Sequence, residues 1–179
     1  INLEKMNNGG ELINRVASSN LITIKLEDFY PEAEIIEFDI KPFLYKDLIL
    51  KELNFRESMQ NHNWANYTGK ILAVFCSNDA IIPTWAYMLI STHASKFAEM
   101  IFFGNANQAL IQYYNQILDK FDWKQFQGAK MVIKGCSDKP VPPSAYLRVT
   151  SHLLPYASSI MYGEPCSTVP VFKQPKSSV

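Results

Sequence analysis

Hydrophobic and polar residues alternate along Leu21–Glu27 and again along Ala33–Ile40, with the turn residues Asp28-Phe-Tyr-Pro-Glu between them. A period of two marks a strand buried on one face, so the two stretches predict an antiparallel hairpin. Ahead of them, residues 1–10 read as a lead-in and Glu11–Ser19 as one or two helical turns. After them, Pro42–Leu50 has no clear period, and the charged stretch Leu53–Asn61 reads as a helix. The pattern then changes. Lys70–Cys76 (K-I-L-A-V-F-C) is a continuous apolar run of strand length, the mark of a strand covered on both faces, as in parallel sheets. Pro83 and Thr84 open a helix over Trp85–Phe97, Glu99–Phe103 is a strand ended by Gly104, and Gln108–Phe121 has apolar residues at helical spacing. A second series follows: strand Lys130–Ile133, helix Ser144–Leu154, strand Ser159–Tyr162, and a polar, proline-containing tail from residue 167.

The second series repeats the first. Cys76-Ser-Asn-Asp-Ala-Ile-Ile-Pro-Thr-Trp-Ala-Tyr aligns with Cys136-Ser-Asp-Lys-Pro-Val-Pro-Pro-Ser-Ala-Tyr, the later copy one residue shorter. Trp64 and Trp123 each stand five residues before a glycine, Gly69 and Gly128. Tyr87 and Tyr146 each stand six before a histidine, His93 and His152, and each histidine stands eleven before Gly104 or Gly163. Four coincidences in register are more than chance supplies, so residues 60–118 and 119–173 read as duplicated units.

The element order predicts an α/β fold, a mostly parallel sheet built from two duplicated β-α-β-α units with helices on both faces. Residues 1–59 form the N-terminal extension, with the antiparallel β-hairpin and a helix. Residues 60–173 are the duplicated α/β domain, and 174–179 a tail.

Composition narrows the function classes. The 17 basic and 17 acidic residues cancel, which leaves no basic footprint for nucleic acid or for an anionic membrane. No apolar run approaches the roughly 20 residues of a membrane-spanning helix, and the opening residues show no signal-peptide pattern. Three cysteines are too few for a disulfide scaffold and suit a reducing, cytoplasmic setting. There is no G-x-x-x-x-G-K-[ST] or G-x-G-x-x-G, and with seven glycines in all no nucleotide cradle is expected.

The candidate chemistry lies where ligands bind in parallel sheets, outside the carboxyl ends of the strands. Cys76 and Cys136 end the first strands of the two units, which a pseudo-twofold would set side by side, and Cys166 follows the last strand by a short loop. Three thiolates completed by a carboxylate suit zinc or an iron–sulfur cluster, so Cys76, Cys136 and Cys166 are candidate metal ligands, with Asp79 and Glu164 in support. Asp138 also lies near. Against this, a buried cysteine often acts as a small hydrophobe, the preferred reading of Cys76 taken alone. The same loops, set before helix N-termini that favour a thiolate, also suit a persulfide carrier, although no base is placed beside them. His93 and His152, in mid-helix, read as packing residues, and Trp64 and Trp123 as covers for the opposite end of the sheet. The prolines at 140, 142, 143, 165 and 170 stiffen the loops around Cys136 and Cys166.

The motifs Asn14-Arg-Val-Ala17, Cys76–Met88, Lys134–Pro142 and Tyr162–Pro170 resemble those of a bacterial family known only as a domain of unknown function, found beside iron–sulfur cluster assembly genes. The resemblance covers nearly all of the chain after residue 10. It implies a role in cluster assembly or maturation, with iron–sulfur assembly proteins as partners. The leading expectation is an accessory protein acting through the three-cysteine site. The alternatives are a small-molecule enzyme or binding protein that uses the same cleft with structural cysteines, and a purely structural interaction module.

Overall fold

The run Ile71–Phe75 is indeed a strand buried on nearly every residue, and it pairs in parallel on both sides. The computed structural model describes residues 13–15 (backbone), 21–135, 138–164 and 167–175. In chain order the strands are β1 (Ile13–Arg15), β2 (Leu21–Ile24), β3 (Ile35–Asp39), β4 (Ile71–Phe75), β5 (Met100–Phe103), β6 (Lys130–Ile133), β7 (Ser159–Glu164) and β8 (Ser167–Lys173). The helices are α1 (Glu52–Asn61), α2 (Thr84–Ala94), α3 (Ala106–Lys120) and α4 (Pro143–Leu153). Short 3₁₀ turns cover Leu26–Phe29, Lys41–Phe43, Trp64–Tyr67 and Trp123–Phe126.

The chain divides into two units. A nested unit, Pro31–Gln112, is inserted in sequence within a flanking unit made of Ile1–Tyr30 and Tyr113–Val179. The nested unit holds the parallel sheet β3-β4-β5, and the flanking unit the five-stranded sheet β1-β2-β6-β7-β8. In the latter β2, β6 and β7 are parallel, while β1 and β8 add antiparallel at the two edges. The fold is thus mixed α/β and largely parallel, as the element order predicts.

Residues at matched sequence positions make like bonds. Trp64 Nε1 donates to Met59 O at 2.7 Å, and Trp123 Nε1 to Leu118 O at 2.7 Å. The N–H of Gly69 bonds Phe97 O and that of Gly128 bonds Tyr156 O. The buried stripe of α2 is Ala86, Ile90 and Ala94, and that of α4 is Ala145, Val149 and Leu153, each at intervals of four that keep one face against its sheet. Each unit also takes its first parallel strand from earlier in the chain, β3 for the nested unit and β2 for the flanking one.

That recruitment corrects two expectations. β2 and β3 do not form a hairpin with each other, because they belong to different sheets. Alternation in sequence says nothing of which strand is the neighbour. Nor do β4 and β6 lie side by side. Each is central in its own sheet, where strands on both sides satisfy its backbone donors and acceptors. Two smaller expectations change as well. Ile13–Arg15 is strand, not helical turn, and part of the tail, Ser167–Lys173, is the edge strand β8. β8 accommodates Pro170 because an edge strand can lack one donor. Helix α3 starts at Ala106, ahead of Gln108, through a reciprocal cap: Gln108 N–H donates to Asn105 Oδ1 and Asn105 N–H to Gln108 Oε1, both at 3.0 Å. The Glu37 carboxylate accepts from Ala106 N–H at 2.8 Å, which places negative charge at the positive end of the helix.

Candidate functional site at the strand ends

At the carboxyl end of the nested sheet, β3 finishes on Asp39 and β4 runs into Cys76 and Ser77. Asp39 clamps this loop. Its carboxylate accepts from Ser77 N–H at 2.9 Å, Ser77 Oγ at 2.5 Å and Lys41 N–H at 2.9 Å. Burial raises the Asp39 carboxyl, but these hydrogen bonds outweigh it and hold the group below its ordinary value. Cys76 is half-buried. It stands near Tyr87, whose phenol is pushed up first by burial and then by the sulfur. The Tyr87 ring meets Phe103 edge-on at 5.4 Å.

The rest of the loop faces an open groove of about 460 Å³ lined by Leu48–Leu50, Asp79–Ile81 and Pro83. The Asn78 side-chain amide donates to Asp47 O across it, and Asp79 N–H donates to Asn78 Oδ1 at 3.0 Å. Cys76 and Asp79, two of the five residues expected at a metal site, therefore share one loop.

The corresponding end of the flanking sheet is more charged. Glu27 Oε2 accepts from Asp138 N–H at 3.1 Å, and Lys134 Nζ lies 3.8 Å from Glu27 Oε1. Lys139 Nζ stands 5.3 Å from the Tyr30 ring centre. Burial pushes the Asp28 carboxyl up, against a smaller opposing pull from Lys25. Tyr162 crosses edge-on to Tyr146 at 5.9 Å, and its hydroxyl donates to Gly135 O at 3.4 Å. Glu164 ends β7 opposite Ser167 of β8. Cys136 and Cys166 lie outside the described residues. Among the described residues no three His, Cys, Asp or Glu side chains cluster as metal ligands.

Sequence reasoning missed Asp39, Glu27 and the groove. Asp39 and Ser77 are 38 residues apart, and nothing local announces that they meet. Only the position of Asp39 at the end of an alternating run hinted at a strand-end role.

The histidines lie in the last turns of α2 and α4 and not in mid-helix, and they are packing residues as expected. His93 stacks on Trp64 with ring centres 5.6 Å apart and planes 8° apart, and His152 stacks on Trp123 at 5.6 Å and 4°. His152 also bonds Asp119 at 2.9 Å, and Asp119 is gripped by Arg148. That Arg148 hydrogen bond, with a lesser share from His152, holds the Asp119 carboxyl below its usual range. The stability it contributes is present above the ordinary carboxylate value and is lost as pH falls through the lowered one, and solvent exposure keeps it small. His93→Gln and His152→Gln are each expected to lower stability by about 1 kcal/mol in urea unfolding, without changing metal content. Loss of bound metal in either variant would contradict the packing role.

No helix among the described residues is long and apolar enough to cross a membrane. No curated protein and no solved structure matches the chain. A family model does, over nearly its whole length, and its description names no activity. The chain belongs to the family described as Protein of unknown function (DUF2480), matched over residues 10–174.

Proposed function

We propose that the chain is an accessory protein that handles zinc or an iron–sulfur cluster, or passes sulfur, through the thiols of Cys76, Cys136 and Cys166. The observation that supports this reading is the placement of Cys76: it leaves a central parallel strand half-buried, on a loop that Asp39 fixes from the neighbouring strand. A thiol held at the carboxyl end of a parallel sheet stands where such folds bind their ligands. The duplicated spacing gives Cys136 the matching position in its own unit. Asp79 follows Cys76 in the same loop, and Glu164 ends the last parallel strand. Both are oxygen ligands of the kind that complete thiolate sites. The partners on this reading are the iron–sulfur assembly proteins that the family resemblance suggests.

The experiment is anaerobic purification followed by metal analysis. Wild-type chain is expected to retain iron or zinc, and Cys76→Ser, Cys136→Ser and Cys166→Ser each to lower occupancy sharply. A triple variant that retains metal at the wild-type ratio would remove the thiols from the account. The half-buried state of Cys76 also suits a second reading, a small-molecule enzyme or binding protein that uses the strand-end cleft with structural cysteines. On that reading the serine variants lose stability but no bound metal.

A further inference from the structure

Residues 44–51 of the nested unit form a loop between the turn Lys41–Phe43 and α1. This loop is tightly held. Tyr45 and Ile49 exchange backbone bonds, Tyr45 N–H to Ile49 O at 2.7 Å and Ile49 N–H to Tyr45 O at 3.1 Å. Lys46 and Asp47 take left-handed backbone angles, φ 51° and 58°, which non-glycine residues adopt at a cost and which concentrate at functional sites. The Asn78 amide fastens Asp47 O to the strand-end loop.

What the loop presents is apolar. Leu48 and Ile49 are 62% and 59% exposed, and Ile81, which lines the same groove, is 94% exposed. Lysines border this patch. Lys51 Nζ and Lys46 Nζ lie 3.5 and 5.5 Å from the centre of the Tyr45 ring, and neither has an ion-pair partner among the described residues. Two ammonium groups on one ring, next to protruding aliphatic side chains, ask for an anion beside an apolar surface.

We propose that this face binds a segment of another protein that carries two or three large apolar side chains followed by a carboxylate. The apolar side chains would lie between Ile81 and Leu48–Ile49, with the carboxylate on Lys46 and Lys51. A small molecule fits less well, because ligand pockets enclose most of their ligand and these lining side chains are themselves exposed. An anionic bilayer fits less well too, because Asp47 and Asp79 share the face and the 17 acidic residues balance the 17 basic ones. The proposal does not rest on the thiol reading.

The test is selection from a random peptide library on the full chain, followed by fluorescence anisotropy with the synthesised winner. The expected winner has apolar side chains followed by Asp or Glu. Ile81→Ser or Leu48→Ser should weaken its binding at least about tenfold, the weight of one apolar anchor. Lys46→Ala with Lys51→Ala should weaken it and flatten its salt dependence, and Leu147→Ser, at an exposed leucine of α4, should leave it unchanged. Both apolar positions are exposed, so unaltered melting curves will show that the variants fold. The proposal is overturned if no peptide is enriched or if the winner binds the groove variants as it binds wild type. It is overturned equally if wild type, but not Ile81→Ser, sediments with phosphatidylserine–phosphatidylcholine vesicles, or if wild type is a dimer that Ile81→Ser dissociates.

Discussion

Replacing Trp123 by alanine is expected to cost the flanking unit about 4 kcal/mol, and Trp64→Ala to cost the nested unit about as much. Both indoles are buried, both stack on a histidine, and both donate from Nε1 to a carbonyl in the last turn of the preceding helix. Truncation would therefore leave a large cavity and also remove the indole donor to Met59 O or Leu118 O. Phenylalanine separates the two contributions. Trp123→Phe retains most of the packing and loses the hydrogen bond, so it should cost about 1–2 kcal/mol. Denaturant unfolding of the four variants supplies the comparison. Matching costs at positions 64 and 123 would reflect the duplicated geometry, whereas a Trp123→Phe variant as stable as wild type would show that the bond to the helix end contributes nothing.

The second large effect is expected at Gly163, where β7 meets β8. Its φ is +122°, a region closed to side chains, and an added Cβ would stand 2.5 Å from the backbone oxygen of Ser167. That oxygen belongs to the paired strand and cannot move without disturbing the β7–β8 register, in which Gly163 faces Thr168. Strain and clash together put Gly163→Ala on the order of 3 kcal/mol. Its counterpart Gly104, at φ +112°, would meet the Gln108 side chain, Oε1 at 2.5 Å and the backbone-fixed Cβ at 2.7 Å. Gly104→Ala should cost about as much, on the order of 3 kcal/mol, for strain, the contact with Gln108 Cβ and the loss of the Asn105–Gln108 cap. Amide exchange gives the sharper readout: β8 should lose protection in Gly163→Ala and keep it in Gly104→Ala. Equal protection in both variants would mean that the close approach at Ser167 O is relieved elsewhere.

Local pattern determined how much of this arrangement could be read in advance. The apolar run through β4 and the four-residue stripes of α2 and α4 report burial directly, so those elements emerge within a few residues of their true limits. The matched tryptophans and histidines make like contacts in their own units, an indole bond to the preceding helix and a ring stack. Pairing is different. The alternation in β2 and β3 cannot distinguish an antiparallel partner nearby from a parallel partner far along the chain: β3 took the second, and β2 took one of each, β1 and β6. Pro170 hid β8, since a proline argues against a strand except at an edge. The clamp from Asp39 to Ser77 joins residues that only the folded sheet brings together. The groove loop escaped notice because residues 44–51 follow no period at all: a turn, two left-handed residues and a single bridge hold it.

The central claim is that the strand-end thiols handle a metal, and X-ray absorption on anaerobically purified, metal-bearing chain tests it most directly. The account predicts sulfur scatterers at about 2.3 Å in the first shell of bound zinc, reduced in Cys76→Ser and absent in the variant that lacks Cys76, Cys136 and Cys166. A first shell of oxygen and nitrogen alone, or a sulfur signal unchanged in the triple variant, would contradict it.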